Sequence, residues 1–358
     1  MKQKLGQQII DEIMTRDSIT EADKTHLSEM LKQLLESEDD LCINSIAEAN
    51  RLYAFHSGTF DAPYRRKLID YITQPENEVF ASSSDYHNLL MDMFSMGEYF
   101  LALKVCDFAL SLTPLNRDLL GDALKACGNS CQFARGDRYL SVAETIPTSL
   151  WSDRLFLYCI DFLTEKLQAN PFDTATYEKA FGLANEFIAN FPYDEHGYNQ
   201  RAELMLTVNK RDEAIADLEK SIMEIQPDPH NRASELVCAQ CCVTLLGLLD
   251  DSNDYNRIIQ VCDIGLRHTA QTQPSVKLGF LTYRKAEALD AEARREAFRV
   301  PDTIIQAMNC YQTAYDLNQD RDYARTIEQR YAELKEHAEK HGFTAPLTRR
   351  PLYVEQSE

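Results

Sequence analysis

Hydrophobic residues recur along most of this chain with a period close to 3.6 residues, which is the spacing of amphipathic helices. One clear example is the helical face shared by Leu27, Met30, Leu31, Leu34 and Leu35. We find no run of strictly alternating apolar and polar residues that is enriched in β-branched side chains. The pattern predicts an all-α protein with many helices of about 12–20 residues.

Four prolines follow successive helical segments at intervals of 33, 45 and 35 residues; they are Pro114, Pro147, Pro192 and Pro227. Because proline cannot continue a helix, these positions predict helix ends between regular units. A second regularity is that small and apolar residues recur at offsets 0, 4 and 7. The copies are Ala102/Cys106/Ala109, Ala180/Ala184/Phe187, Ala214/Leu218/Ser221, Ala307/Tyr311/Ala314 and, more weakly, Ile258/Cys262/Gly265.

Two segments, 82–114 and 194–227, resemble units of the tetratricopeptide repeat (TPR) family. The residues that carry the resemblance are Tyr86, Gly97, Tyr99, Ala102, Ala109 and Pro114 in the first, and Tyr198, Ala202, Met205, Ala214 and Leu218 in the second. Weaker units extend the resemblance over about 82–340, and Leu90 departs from it because the family usually has a small residue there. The resemblance implies a TPR-like α-solenoid of stacked antiparallel helix pairs.

Three regions follow from this interpretation. Residues 1–80 do not fit the repeat and are expected to form a helical N-terminal extension, either a cap or a small separate bundle. Residues 81–342 are expected to form the TPR-like repeat domain, and residues 343–358 a mobile tail.

The charge balance is strongly acidic, with 37 Lys and Arg against 57 Asp and Glu and a formal net charge of −20. Since phosphate backbones and anionic membranes are bound by clustered basic residues, neither nucleic acid nor membrane is expected as a partner. The N-terminus lacks the pattern of a secretion signal, and ten cysteines are too few for a disulfide scaffold. These features predict a cytoplasmic protein with reduced thiols.

Sequence motifs that would indicate catalysis or metal binding are weak in this chain. Cys238, Cys241 and Cys242 form a CxxCC pattern that could bind a metal, but they share a helical face that leucines continue, so we interpret them as core residues. No P-loop, GxGxxG or GxSxG motif is present. We therefore expect no cofactor, no metal and no enzymatic activity.

In the TPR family, the first helix of each unit lines a concave groove. Carried over to this chain, the resemblance implies that the first good unit presents His87, Asn88, Met91 and Phe94, and that the second presents His196, Asn199, Gln200 and Glu203. These side chains suit hydrogen bonding to a bound chain. The leading hypothesis is a scaffold or adaptor that binds a protein or peptide, with basic character favoured by the acidic charge. The alternatives are a regulatory peptide sensor with a protein-directed output, and a helical enzyme with a site in the concave face; the oligomeric state stays open.

Overall fold

A computed structural model describes residues 62–75, 83–225, 232–249, 253–269, 276–317 and 324–343, together with five isolated residues nearer the N-terminus. The described residues form fourteen α-helices and no strand, which confirms the predicted all-α class. The helices are α1 (Ala62–Ile72), α2 (Ser83–Ser95), α3 (Tyr99–Leu112), α4 (Arg117–Asn129), α5 (Phe133–Ala143), α6 (Asp153–Ala169), α7 (Thr174–Asn190), α8 (Glu195–Thr207), α9 (Arg211–Met223), α10 (Arg232–Leu248), α11 (Tyr255–Thr269), α12 (Val276–Arg295), α13 (Pro301–Leu317) and α14 (Ala324–Lys340).

The chain separates into two compact units, residues 1–190 and residues 191–358. In unit 1, the helix pairs are α2/α3, α4/α5 and α6/α7, and α1 packs on α3. In unit 2, the pairs are α8/α9, α10/α11 and α12/α13, and α14 packs on α13. We call the first member of each pair a first helix and the other a second helix.

Helix pairs stack in series within unit 1. The pair α2/α3 is antiparallel: Phe94 near the end of α2 stacks on Tyr99 at the start of α3, with ring centroids 5.8 Å apart. At the other end of the pair, Tyr86 packs against Phe108 at 6.4 Å. Each first helix also contacts the next first helix, α2 against α4 and α4 against α6. A pair cannot bury both of its faces alone, so this stacking supplies the core.

Unit 2 has the same organisation. A bidentate ion pair connects α8 and α9, in which the Nε and Nη2 atoms of Arg201 lie 2.6 Å and 2.7 Å from the oxygens of the Asp217 carboxylate. The first helices again contact one another, α8 against α10 and α10 against α12. At the end of the unit, α14 buries Ile327, Leu334 and Ala338 in a cluster with α12 and α13. This repeated contact pattern is the TPR-like α-solenoid arrangement that the resemblance implies.

Short polar side chains begin several of these helices. Asn116, Ser152 and Asp194 precede α4, α6 and α8, and each accepts a backbone N–H two or three residues later, at 3.0, 3.3 and 2.9 Å. Such a cap satisfies one of the N–H groups that a helix start leaves without an intrahelical partner. The local sequence therefore sets where these first helices begin.

The predicted 0, 4, 7 spacing is confirmed, because the residues of all five predicted copies are buried. The structure adds a sixth copy in α5, where Gly136, Leu140 and Ala143 are the buried residues. This copy follows the one in α3 by 34 residues. The turns before α3 and α5 are also alike. The residue five positions before the small residue has a positive φ in both, 71° at Gly97 and 56° at Cys131.

The predicted division into 1–80, 81–342 and 343–358 stays a prediction. Most of residues 1–61, residues 76–82 and the tail from 344 onward lie outside the described residues. Helix α1 lies within the expected N-terminal extension. In the described part of the chain, none of the helices combines the length and the apolar character needed to cross a membrane.

Candidate functional site

A cluster of polar and aromatic side chains connects the three first helices of unit 1. It consists of His87 and Phe94 from α2, Asp122 and Lys125 from α4, and Tyr158 from α6. We call it the Lys125 cluster. Its members come from three successive first helices, the helices that the TPR resemblance assigns to the partner-binding groove.

Lys125 lies between two aromatic rings. Its ammonium nitrogen is 4.6 Å from the centroid of the Tyr158 ring and 5.4 Å from that of Phe94, which are cation–π distances. Its hydrogen bond to the Tyr158 hydroxyl is long, at 3.4 Å. Burial lowers the pKa of Lys125, and the nearby Asp161 and Asp122 carboxylates partly offset that effect. Within the described residues, Lys125 forms no ion pair closer than 4.0 Å.

Asp122 is completely buried beneath this lysine. Its Oδ2 atom lies 2.9 Å from Nδ1 of His87, whereas Oδ1 has no hydrogen-bond partner among the described residues. Burial raises the pKa of Asp122, and the hydrogen bond from His87 partly counteracts that rise. A buried carboxylate oxygen without a donor is unfavourable, so the cluster retains unused hydrogen-bonding capacity.

The four predicted residues of α2 have different environments. His87 and Met91 are half-buried and Asn88 is exposed. Phe94 is buried, since it stacks on Tyr99 and is covered by Lys125. The structure therefore joins His87 and Phe94 to the Lys125 cluster and leaves Asn88 open to solvent beside it. Their role in binding a partner stays a prediction.

The four predicted residues of α8 in unit 2 are less accessible. Asn199 and Gln200 are 8% and 6% exposed, and Asn199 accepts a hydrogen bond from the thiol of Cys241 at 3.2 Å. Glu203 is half-buried and accepts from the Asn199 amide at 3.4 Å. His196 is half-buried and its Nδ1 lies 2.9 Å from an oxygen of Asp194, the residue that caps α8. Asn199 is therefore engaged in internal hydrogen bonds, whereas the buried Oε1 atom of Gln200 has no hydrogen-bond partner among the described residues.

A metal could be held in the described part of the chain by the ligand atoms of Asp194, Glu195 and His196, which lie within 4.8 Å of one another. The Asp194 carboxylate already accepts the backbone N–H of His196 at the start of α8, so this group has a structural role without an ion. Cys238, Cys241 and Cys242 are all buried in α10, as expected for core residues.

Sequence reasoning missed the residues at the centre of the Lys125 cluster. Asp122 and Lys125 follow the predicted groove residues Asn88 and Met91 by 34 residues, the spacing that relates Gly136 to Ala102. The signal was therefore present in the sixth copy of the repeat. Recognising Gly136 as the small residue of that copy would have transferred the groove positions onto α4.

The fold is that of a helical-repeat protein of the TPR type. No protein-family model matches the chain, and no curated protein does either. Solved structures with a similar fold include a thermophilic TPR protein of Thermus thermophilus, with 14% identity and a TM-score of 0.42 over 58% of this chain and 99% of that one. A TPR repeat-containing protein of Cytophaga hutchinsonii has 13% identity and a TM-score of 0.33 over 70% of this chain and 96% of that one.

A third similar structure corrects the expectation that nucleic acid is not a partner. The human IFIT1 dimer solved with PPP-AAAA has 12% identity and a TM-score of 0.36, over 88% of this chain and 80% of that one. Helical-repeat structures similar to this chain thus include one that binds RNA. The exclusion drawn from net charge is wrong, because overall charge does not describe the local chemistry of a repeat surface.

Proposed function

We propose that the protein is a non-enzymatic interaction scaffold that binds a segment of a partner protein on the first-helix face of unit 1. The observation that carries this proposal is the Lys125 cluster, which spans three successive first helices. A surface built from consecutive repeats suits an extended ligand, since each repeat adds contacts along its length.

The contacts of the cluster indicate how it would bind. Among the described residues, the one hydrogen bond of the Lys125 ammonium is the long one to Tyr158, so the ammonium can donate to a carbonyl oxygen of a bound chain. The exposed amide of Asn88 both donates and accepts, which fits the alternating groups of a polypeptide backbone. Half-buried Met91 offers an adaptable apolar contact next to them. Together these groups offer a cation, an amide and an apolar side chain to a bound segment.

The proposal assigns His87 and Asp122 to structure rather than to catalysis. Their hydrogen bond joins α2 to α4, and Asp122 is buried where a substrate atom does not reach it. We also retain the proposal of a reducing compartment such as the cytoplasm. The nine described cysteines are free thiols, and eight of them are buried.

The test compares partner capture by the wild-type protein and by two single variants of the cluster, Asn88→Ala and Lys125→Met. Lys104→Met is the matched control, because Lys104 lies on second helix α3 and is half exposed. Each tagged protein is incubated with native lysate at moderate salt, in parallel with a nuclease-treated arm. Bound protein is quantified by mass spectrometry and bound RNA by sequencing.

We expect one protein in near-stoichiometric amount, resistant to nuclease and reduced about tenfold by Lys125→Met, as is common when an interface anchor is removed. Asn88→Ala should reduce it less, and Lys104→Met should not change it. Equal capture by all four proteins would contradict the proposed face. Capture of RNA that is lost in the cluster variants, without a nuclease-resistant protein, would replace the protein partner with nucleic acid.

A further inference from the structure

Unit 2 contains a cavity of about 320 Å³ between helices α11, α12, α13 and α14. Its charged lining includes three guanidinium groups, from Arg284, Arg294 and Arg330, and two carboxylates, from Glu287 and Asp290. The lining therefore carries a net positive charge, although the whole chain has a formal charge of −20. We call this the arginine cavity. It lies apart from the Lys125 cluster and does not depend on the proposed function.

The two carboxylates of the arginine cavity are bound internally. Asp290 is 3% exposed and accepts hydrogen bonds from Nε of Arg294 at 2.7 Å and from the Tyr311 hydroxyl at 3.3 Å. Glu287 accepts the hydroxyl of Tyr283 at 2.7 Å. Because these acceptors already have donors from the protein, they leave the Arg330 guanidinium to interact with a ligand.

Arg330 is the guanidinium best placed to do so. Its side chain is 45% exposed, and its ion pair with Glu333 is long, at 3.7 Å. The same carboxylate of Glu333 has closer partners: Arg294 Nη2 at 2.9 Å and the amide of Gln329 at 3.0 Å. A guanidinium has five N–H donors in a fork that matches an oxyanion. Among the described residues no closer ion pair engages Arg330, so most of its donor capacity is available at the cavity that it lines.

The uncharged part of the lining includes Tyr255, Ile258, Ala288 and Ala291, and the Arg295 guanidinium carbon lies 5.7 Å from the centroid of the Tyr255 ring. A small-molecule site typically combines an apolar wall with a few fixed polar groups, and its volume is usually at least about 300 Å³. We propose that the arginine cavity binds a small organic anion, whose carboxylate or phosphate group pairs with Arg330 and whose apolar body packs against Tyr255. Carboxylates and phosphates share this recognition chemistry, so the experiment separates them.

The test is isothermal titration calorimetry of the full chain at constant ionic strength. Two probes are aromatic anions: phenyl phosphate and benzoate. Inorganic phosphate is the probe without an aromatic ring, and benzyl alcohol is the probe without a charge. We expect saturable binding of at least one aromatic anion with a dissociation constant of about 1 mM or lower. Inorganic phosphate should bind at least about tenfold more weakly, and benzyl alcohol should not saturate.

Two variants locate the binding. Arg330→Met removes the guanidinium and should weaken binding about tenfold, since charge-assisted hydrogen bonds to the oxyanion are lost. Ala291→Leu fills part of the cavity from α12 and should weaken binding to a similar extent. Arg325→Met is the matched control, an exposed arginine on the same helix α14 that does not line the cavity. Circular dichroism of each variant verifies that the helices remain.

Weakened binding in both cavity variants with unchanged binding in Arg325→Met would support the proposal. Binding that is the same in all four proteins would overturn it, as would the absence of saturation by both aromatic anions. Equal affinity for inorganic phosphate and phenyl phosphate would also overturn it, because the aromatic wall would then contribute nothing.

Discussion

Substitution of Gly136 by alanine tests how closely the helix pairs of unit 1 are packed. Gly136 lies in α5 and is buried against α6, in the small-residue position of the sixth repeat copy. A Cβ atom added there would lie 2.1 Å from Cε2 and 2.4 Å from Cζ of Phe162. Phe162 is completely buried, and its ring packs at 6.2 Å against Phe133. The ring therefore has to move within a filled core.

Two opposing effects set the magnitude. Forcing an extra carbon into a well-packed core costs about 1–3 kcal/mol, and an overlap at 2.1 Å with a buried ring places this substitution toward the upper end. Alanine is more favourable than glycine inside a helix by about 1 kcal/mol. We expect Gly136→Ala to lower the free energy of unfolding by about 1–2 kcal/mol. Gly182→Ala is the matched control at an exposed position of α7, where the added Cβ meets nothing within 4 Å, and it should stabilise unit 1 by about 0.5–1 kcal/mol.

The assay is urea unfolding followed by the fluorescence of Trp151. This is the single tryptophan of the chain, and it is buried against Phe156 in unit 1, so it reports on the relevant unit. The two glycine variants should shift the unfolding midpoint in opposite directions. If Gly136→Ala is as stable as Gly182→Ala, the close contact between α5 and Phe162 is refuted.

Three further predictions address other parts of the structure. Asp217→Ala removes both acceptors of the Arg201 guanidinium and should destabilise unit 2 by about 1–3 kcal/mol in urea unfolding; an unchanged midpoint would argue against the ion pair. Burial raises the pKa of Asp122 above its value in the unfolded chain. The contribution of Asp122 to the free energy of unfolding should therefore increase as pH falls through the folded pKa toward about 3.9. Asp122→Asn should flatten this acid dependence, and identical pH profiles of the two proteins would refute the prediction. Among the described thiols, exposed Cys131 should be alkylated first in the native protein, which peptide mass spectrometry can follow; faster modification of a buried cysteine would contradict the packing.

Much of the helix-pair repeat was readable from local spacing. Ala102, Ala180 and Ala214 were recognisable because two helices approach closely only where a small side chain separates them, and the residues four and seven positions later share that face. Gly136 gives a weaker signal, since glycine is unfavourable within a helix and Pro147 follows it by eleven residues instead of twelve. Close contact with Phe162 explains why glycine stands there.

The candidate groove residues show what local spacing does not predict. The repeat register places Asn88 and Gln200 at equivalent positions, 14 residues before Ala102 and Ala214, yet Asn88 is exposed and Gln200 is buried. Asn199, the neighbour of Gln200 in α8, accepts a hydrogen bond from Cys241 of the next first helix. Exposure on such a face depends on the neighbouring helix, and a register within one helix does not contain that information.

The sequence by itself determined the all-α class, the pairing of helices and the small residues between them, because each depends on periodicities of a few residues along one helix. Tertiary structure decided which side chains meet. Lys125 lies between rings supplied by α2 and α6, and the arginine cavity combines Arg294 of α12 with Arg330 of α14. These contacts join residues far apart in the chain. They arise only when helices stack with a particular offset, which the packing of the whole unit sets.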